Sequence, residues 1–534
     1  MKYTLVWFKA FDLGKPLDAF KAGKKLRFSG LAEVMYWYDE KGEEQRDPSK
    51  TVTFKELVVP DDLYLTIDYD LLFQEYRSNG RLVRLKLRGF KARILDMTVE
   101  VKVYLMIHKT GFAVLSFWLP INTALEPEKL VDIVDKTENE DIYVEGLWRP
   151  MVDRLKKIST LEDYISETEE NKFYTTINNI ATLYVYYIIL TLMNKILRPF
   201  ASPQMRYPYR QASMAVIMSD IDNLQEFIQN HRKDLYNFLT GSRLLQLADN
   251  EKIKEVIDRN LSWRKDLYIN ISSSRMIVLF SKEVIEQIKN DFKKEIEKKP
   301  LEDKLNQMIE EIIDLHVLKT ELVPIFVWEN LLLQKYMLRT YNYRLGENRP
   351  DSVRKLNKLR EEISDAIEEY LNVRVWAFPY AREIVEKAKP IMSIDELYDS
   401  LRKRLDFVES IITTHYNVSI NRLLILLTII TAGLQLFEVP RIQVTQLTNL
   451  DSATIFVMAF FVTILLPIIV YEYSWIKEHI YVSSMITICI GGLLIYMSSQ
   501  EKTSPLILLM LLTYMALSIP VGYTLFSNQR KKNY

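Results

Sequence analysis

The 534-residue chain has a single cysteine, Cys489. One thiol excludes an intramolecular disulfide and every cysteine-based zinc site. Histidine is nearly as scarce. His108, His231, His316, His415 and His479 stand singly, and no two have metal-ligand spacing. Neither sign of charge is in excess, because 70 Lys and Arg balance 70 Asp and Glu. Nucleic-acid modules usually carry a basic surplus, so no nucleic-acid partner is expected. The first residues, MKYTLVWFKAFDLGK, lack a long apolar stretch and a small-residue cleavage site. No signal peptide is expected there. Glycine-rich phosphate loops, nucleophile elbows, HExxH motifs and Cys/His clusters are all missing. The sequence therefore calls for no catalytic residue and no cofactor. Glycine itself is sparse, and between Gly146 and Gly433 only Gly241 and Gly346 occur. Because glycine punctuates turns, the front should be rich in strands and the middle mostly helical.

What is present divides into four regions, 1–150, 151–290, 291–421 and 422–528. The first reads as a β-rich α+β domain. Tyr3 to Phe8 is a first strand, with weaker candidates at Ala32 to Tyr38 and Thr51 to Phe54. In Thr98 to Leu119, Val99, Val101, Val103 and Leu105 alternate with Glu100, Lys102, Tyr104 and Met106. That period of two predicts a half-buried strand. Lys109-Thr110-Gly111 then turns the chain back into a hairpin. Leu82 to Leu87 alternates as well and can pair beside it.

The second region reads as helices with a small strand set. Leu161 to Ile177 carries charges at helical spacing. Tyr174 to Asn194 is uncharged, but its strongly apolar part is confined to Ile180 to Met193. That length fits a buried helix better than a membrane span. Ser213 to Met218 predicts a strand, and Leu267 to Ile271 with Met276 to Phe280 predicts a hairpin about Ser272-Ser273-Ser274. Asp220 and Asp222 directly follow the Ser213 strand. Two carboxylates there can bind a divalent cation, or they can sit at the positive end of the next helix.

From 291 to 421 the chain reads as a stalk of long helices, broken or kinked at Pro324. Ile325 to Tyr343 has a broad apolar and aromatic face. Ser393 and Glu396 have capping-box spacing. Leu401, Leu405, Val408 and Ile412 then recur near the 3.5-residue coiled-coil repeat, which fits bundle or oligomer packing. Without a proline or glycine, the same helix enters an apolar run, Leu423 to Phe437. Ser452 to Val470, Ile480 to Met497 and Pro505 to Phe526 are three more. The expectation is an α-helical membrane domain with four transmembrane helices over 422–528. It would be multi-pass in the cell membrane. Basic residues before the first span and at Arg530, Lys531 and Lys532 would place both termini in the cytoplasm. Thr428, Thr431 and Gln435 share one face of the first span, and Glu438 follows at its mouth. These four are the candidate pore face; the alternative is that the threonines bond their own helix.

The string Asn421-Arg422-Leu423-Leu424-Ile425-Leu426-Leu427-Thr428-Ile429-Ile430, at the end of a long charged helix, resembles the start of the first span in the CorA-type magnesium transporter family. The resemblance implies a large cytoplasmic domain, a stalk continuous with the first span, and an oligomer around a pore. That family closes its first span with Gly-Met-Asn, a tripeptide this chain does not contain, so magnesium selectivity is not implied. Two functions follow as expectations. One is an oligomeric channel or transporter gated by its large soluble part. The other is a membrane-anchored sensor or interaction protein whose spans tether and oligomerise it. Lipid, a homo-oligomer and divalent cations are the partners considered.

Overall fold

The computed structural model describes residues 2–14, 16–37, 82–94, 97–121, 140–156, 166–169, 172–192, 213–241, 249–297, 309–347 and 379–447, with short pieces between 128 and 134 and between 356 and 364. The chain divides into two units, Met1–Ser410 and Ile411–Tyr534.

The first unit is built on an eleven-stranded sheet. Its strands are β1 (Lys2–Asp12), β2 (Ala32–Trp37), β3 (Leu82–Ile94), β4 (Met97–His108), β5 (Phe112–Ile121), β6 (Ile142–Glu145), β7 (Ser166–Glu169), β8 (Lys172–Thr175), β9 (Ser213–Ile221), β10 (Leu267–Ile271) and β11 (Arg275–Ser281). The spatial order is β10-β11-β9-β1-β5-β4-β3-β6-β8-β7, with β2 also paired to β3. Only β9 and β11 run parallel; the other pairs are antiparallel. Through β1, which pairs with both β5 and β9, the front strands and the later strand set form one sheet.

The β4–β5 hairpin turns at Gly111, whose φ of 86° is the left-handed conformation glycine adopts without strain. The alternation of Val99, Val101 and Val103 behaves as expected, but from Tyr104 to His108 every residue is buried. Both faces of the sheet are covered there. One face packs α1 (Ala19–Phe28), α2 (Arg149–Lys156), α3 (Ile177–Leu192), α4 (Leu224–Asn230), α5 (Arg232–Thr240) and α6 (Asn250–Ile257) over Leu5, Trp7, Leu85, Val103, Phe117 and their neighbours. α3 is the uncharged run around Ile180, and its buried side chains make it a core helix. The segment read as charged and helical before it holds the strand pair β7–β8 instead. Charged edge strands such as SETE and KFYT carry too little apolar alternation to announce themselves.

α7 (Lys282–Glu297) and α8 (Ile309–Glu347) follow, and α8 covers the opposite face, with Phe112 edge-on to Tyr336 and Tyr341. Pro324 lies inside α8 and does not end it. Val323 to Leu345 is almost continuously buried, and that packing offsets the hydrogen bond a helical proline removes. α9 (Pro379–Ile391) and α10 (Ile394–Leu447) close the described chain. They meet at Ser393, in a left-handed conformation with φ 55°. Its carbonyl accepts from the Leu397 amide at 3.2 Å, so the serine shapes the junction through its backbone.

The four-helix membrane domain is overturned. Among the described residues no helix is long and apolar enough to cross a membrane. α10 shows why. Its apolar run, Leu423 to Phe437, is bracketed by Arg422 and Glu438. About 15 residues at 1.5 Å each reach ~22 Å, short of a ~30 Å hydrocarbon core. The same finding removes the multi-pass cell-membrane placement and the assignment of termini that rested on it. The runs 452–470, 480–497 and 505–526, the basic tail and the strand proposed at Thr51 to Phe54 lie outside the described residues.

Candidate functional site

The two carboxylates after β9 are placed by strand and helix ends. Asp220 closes the strand with φ 64°, and Asn223 caps α4 by accepting from the Glu226 amide at 3.2 Å. Asp222 between them is exposed and paired with the Lys282 ammonium, where α7 begins beside the end of β11. That contact lowers the Asp222 pKa and raises that of Lys282. A lysine thus stands where a cation would neutralise Asp222. Among the described residues no group of three or more His, Cys, Asp or Glu could hold a metal ion.

Of the candidate pore face, Thr428 has a described side chain. It is exposed, and its Oγ1 donates to the Leu424 carbonyl one turn back at 2.8 Å. This hydroxyl therefore serves its own helix. Thr431, Gln435 and Glu438 follow on α10 at three- and four-residue spacing, and their side chains lie outside those described.

Sequence reading missed the polar seam between α8 and the sheet. Arg84 on β3 and Glu329 on α8 form an ion pair with both side chains fully buried. The guanidinium also faces Phe326 at 4.4 Å and Tyr104 at 5.1 Å. Ser116 donates to the second Glu329 oxygen at 3.5 Å and accepts from Trp118 Nε1 at 3.2 Å. Further along α8, Thr110 bridges His108 at 2.7 Å and the Met337 sulfur at 3.2 Å. At the helix end Arg344 pairs with Asp12 at the end of β1.

The seam passes directly into α10. Asn342 donates to the Leu397 carbonyl at 2.8 Å, and its side-chain oxygen accepts from Ser400 at 3.1 Å. Arg404 donates to the Asn342 carbonyl at 2.8 Å. Leu401, Leu405 and Val408 are buried within the same unit. The coiled-coil-like seam is therefore taken up by the chain's own packing. Arg360 grips Glu409 through both terminal guanidinium nitrogens.

Past Ser410, α10 changes character. Tyr416, Val418, Ile420, Leu424 and Ile425 are all exposed. Tyr416, Ile420 and Leu424 recur every four residues and share a face, while Val418 and Ile425, one heptad apart, lie on the opposite face. The length and regularity of this helix were legible in the sequence. Which of its apolar residues are satisfied internally was not, because that depends on contacts with α8.

No family model matches the chain, and no curated protein or solved structure matches it.

Proposed function

We propose that this chain is an interaction protein that self-associates through α10, with the sheet unit as its head. The exposed apolar stripe of Tyr416, Ile420 and Leu424 carries the reading. Scattered surface hydrophobes need no explanation, but a contiguous set marks a contact surface. An apolar stripe on a helix is complementary to itself, so a second copy can cover it in an isologous contact. The head reaches that helix through Asn342, Leu397, Ser400 and Arg404. This keeps the sensor or interaction role expected from the sequence and gives oligomerisation to α10 in place of spans.

The test is the mass of the intact chain by light scattering, compared with Ile420→Glu/Leu424→Glu. Both positions are exposed, so the head retains its fold. The proposal expects a multimer that the double substitution returns to one chain. A wild-type monomer across the micromolar range, or a multimer the substitution leaves intact, overturns it.

A further inference from the structure

The chain's zero net charge conceals a local imbalance on α1. Its apolar side, Ala19, Ala22, Gly23 and Leu26, is buried against the sheet. Lys21, Lys24, Lys25 and Phe28 fall at i, i+3, i+4 and i+7, on the face that remains exposed. Phe28 is 89% exposed, the most of any large hydrophobic side chain described. Neither Lys24 nor Lys25 has a carboxylate partner among the described residues. Lys24 instead holds its ammonium 4.2 Å above the Phe20 ring.

The surface continues past the helix end. Gly30, with φ 82°, lets the backbone pass so close to Trp148 that a Cβ there would come within 3.0 Å of the ring. The Gly30 carbonyl accepts from Arg88 Nε at 3.3 Å. Two described acids nearby are already engaged. Asp18 pairs with Lys21 at 3.1 Å, and Glu33 lies 3.5 Å from Arg88 and 3.9 Å from Lys86.

We propose that this face of α1, with Phe28 and the Gly30–Trp148 corner, binds single-stranded nucleic acid. Lysines three and four apart on a helix stand about 5–6 Å from one another, a spacing that can follow successive phosphates of an extended strand. One exposed ring, Phe28, stands among these lysines, and every base offers a π-face for stacking. An acidic polypeptide would satisfy the lysines and leave Phe28 without a role, so the ring favours the nucleic acid. The surface is independent of α10, and its fate does not decide the self-association reading.

The experiment is fluorescence anisotropy of the full chain with a labelled oligouridylate of roughly 12 nucleotides. Saturable binding is expected at about 50 mM salt and should weaken steeply by about 200 mM. Lys24→Gln/Lys25→Gln should flatten the slope of log K against log salt by about 1.4. Phe28→Ala should weaken binding roughly fivefold or more without changing that slope, and Phe28→Trp should preserve it. An abasic strand of equal length should bind like the normal strand does to Phe28→Ala. Absence of binding at low salt, or binding indifferent to both the lysine and the phenylalanine substitutions, overturns the proposal. Displacement by polyglutamate together with indifference to Phe28→Ala would assign the surface to an acidic polypeptide and overturns it equally.

Discussion

Substituting Glu329 by leucine should be among the most damaging single changes in the head. Both members of the Arg84–Glu329 pair are fully buried. Removing the carboxylate leaves a guanidinium among Tyr104, Phe326 and the strands, far from water. Breaking a buried pair from one side costs about 3–5 kcal/mol. Ser116 also loses its acceptor. Entropy of unfolding scales with chain length, so in a unit of this size ~4 kcal/mol lowers the midpoint by about 5 °C. The reverse single change, Arg84→Met, should cost a similar amount. The double variant Arg84→Met/Glu329→Leu should return to within ~1 kcal/mol of wild type, because no charge is then buried alone. Urea denaturation followed by tryptophan fluorescence reads all four proteins, with an unchanged m-value as the condition for comparing them. A near-neutral Glu329→Leu, or a double variant as unstable as the two singles summed, would refute the reasoning.

Three further outcomes follow from the geometry. Burial pushes Lys9 down from 10.5 to about 8, with its ammonium donating a hydrogen bond to Asn178 Oδ1 at 2.9 Å. The unfolded chain therefore binds more protons between pH 8 and 10.5, and stability should rise with pH through that window. Below pH 8 the cost is fully present, so Lys9→Met should gain on the order of 3 kcal/mol at neutral pH and flatten the alkaline rise in a pH series of melts. Ser393→Gly should stabilise the α9–α10 junction by up to about 1 kcal/mol in urea melts, and Ser393→Val should destabilise it, because only glycine takes a positive φ without strain. Lys282→Met should leave the melting temperature unchanged, since its pair with Asp222 is exposed. Millimolar magnesium or calcium should likewise shift no melt of the wild-type protein; a calcium-dependent rise would support the metal reading of Asp220 and Asp222.

Local signals made much of this fold readable. Alternation in β4, the Gly111 turn and the apolar strings of β1, β9 and β11 are encoded within a few residues each. Long-range partners were not. Glu329 meets Arg84 across 245 positions and Arg344 meets Asp12 across 332, and no periodicity links such pairs. The aromatic richness of Ile325 to Tyr343 announced packing but hid the polar residues threaded through it, Glu329, Asn330, Gln334, Thr340 and Asn342, all buried. Of a break or a kink at Pro324, the break does not occur, because tertiary burial carries the helix through. The membrane reading took apolar content on α10 as a span, although Arg422 and Glu438 limit the uncharged length. At the candidate metal site, the two carboxylates were legible and the lysine that answers one of them, sixty positions on, was not.

The proposed self-association places α10 of one copy against α10 of another along Tyr416, Ile420 and Leu424. Position-specific cross-linking checks it in a Cys489→Ser background, with single cysteines placed in turn at Tyr416, Ile420 and Leu424 and, on the opposite face, at Val418 and Ile425. Efficient symmetric dimer formation is expected at Tyr416, Ile420 and Leu424, and not at Val418, at Ile425 or at a cysteine placed on the exposed surface of α6. Equal cross-linking at every position, or none along α10, would contradict it.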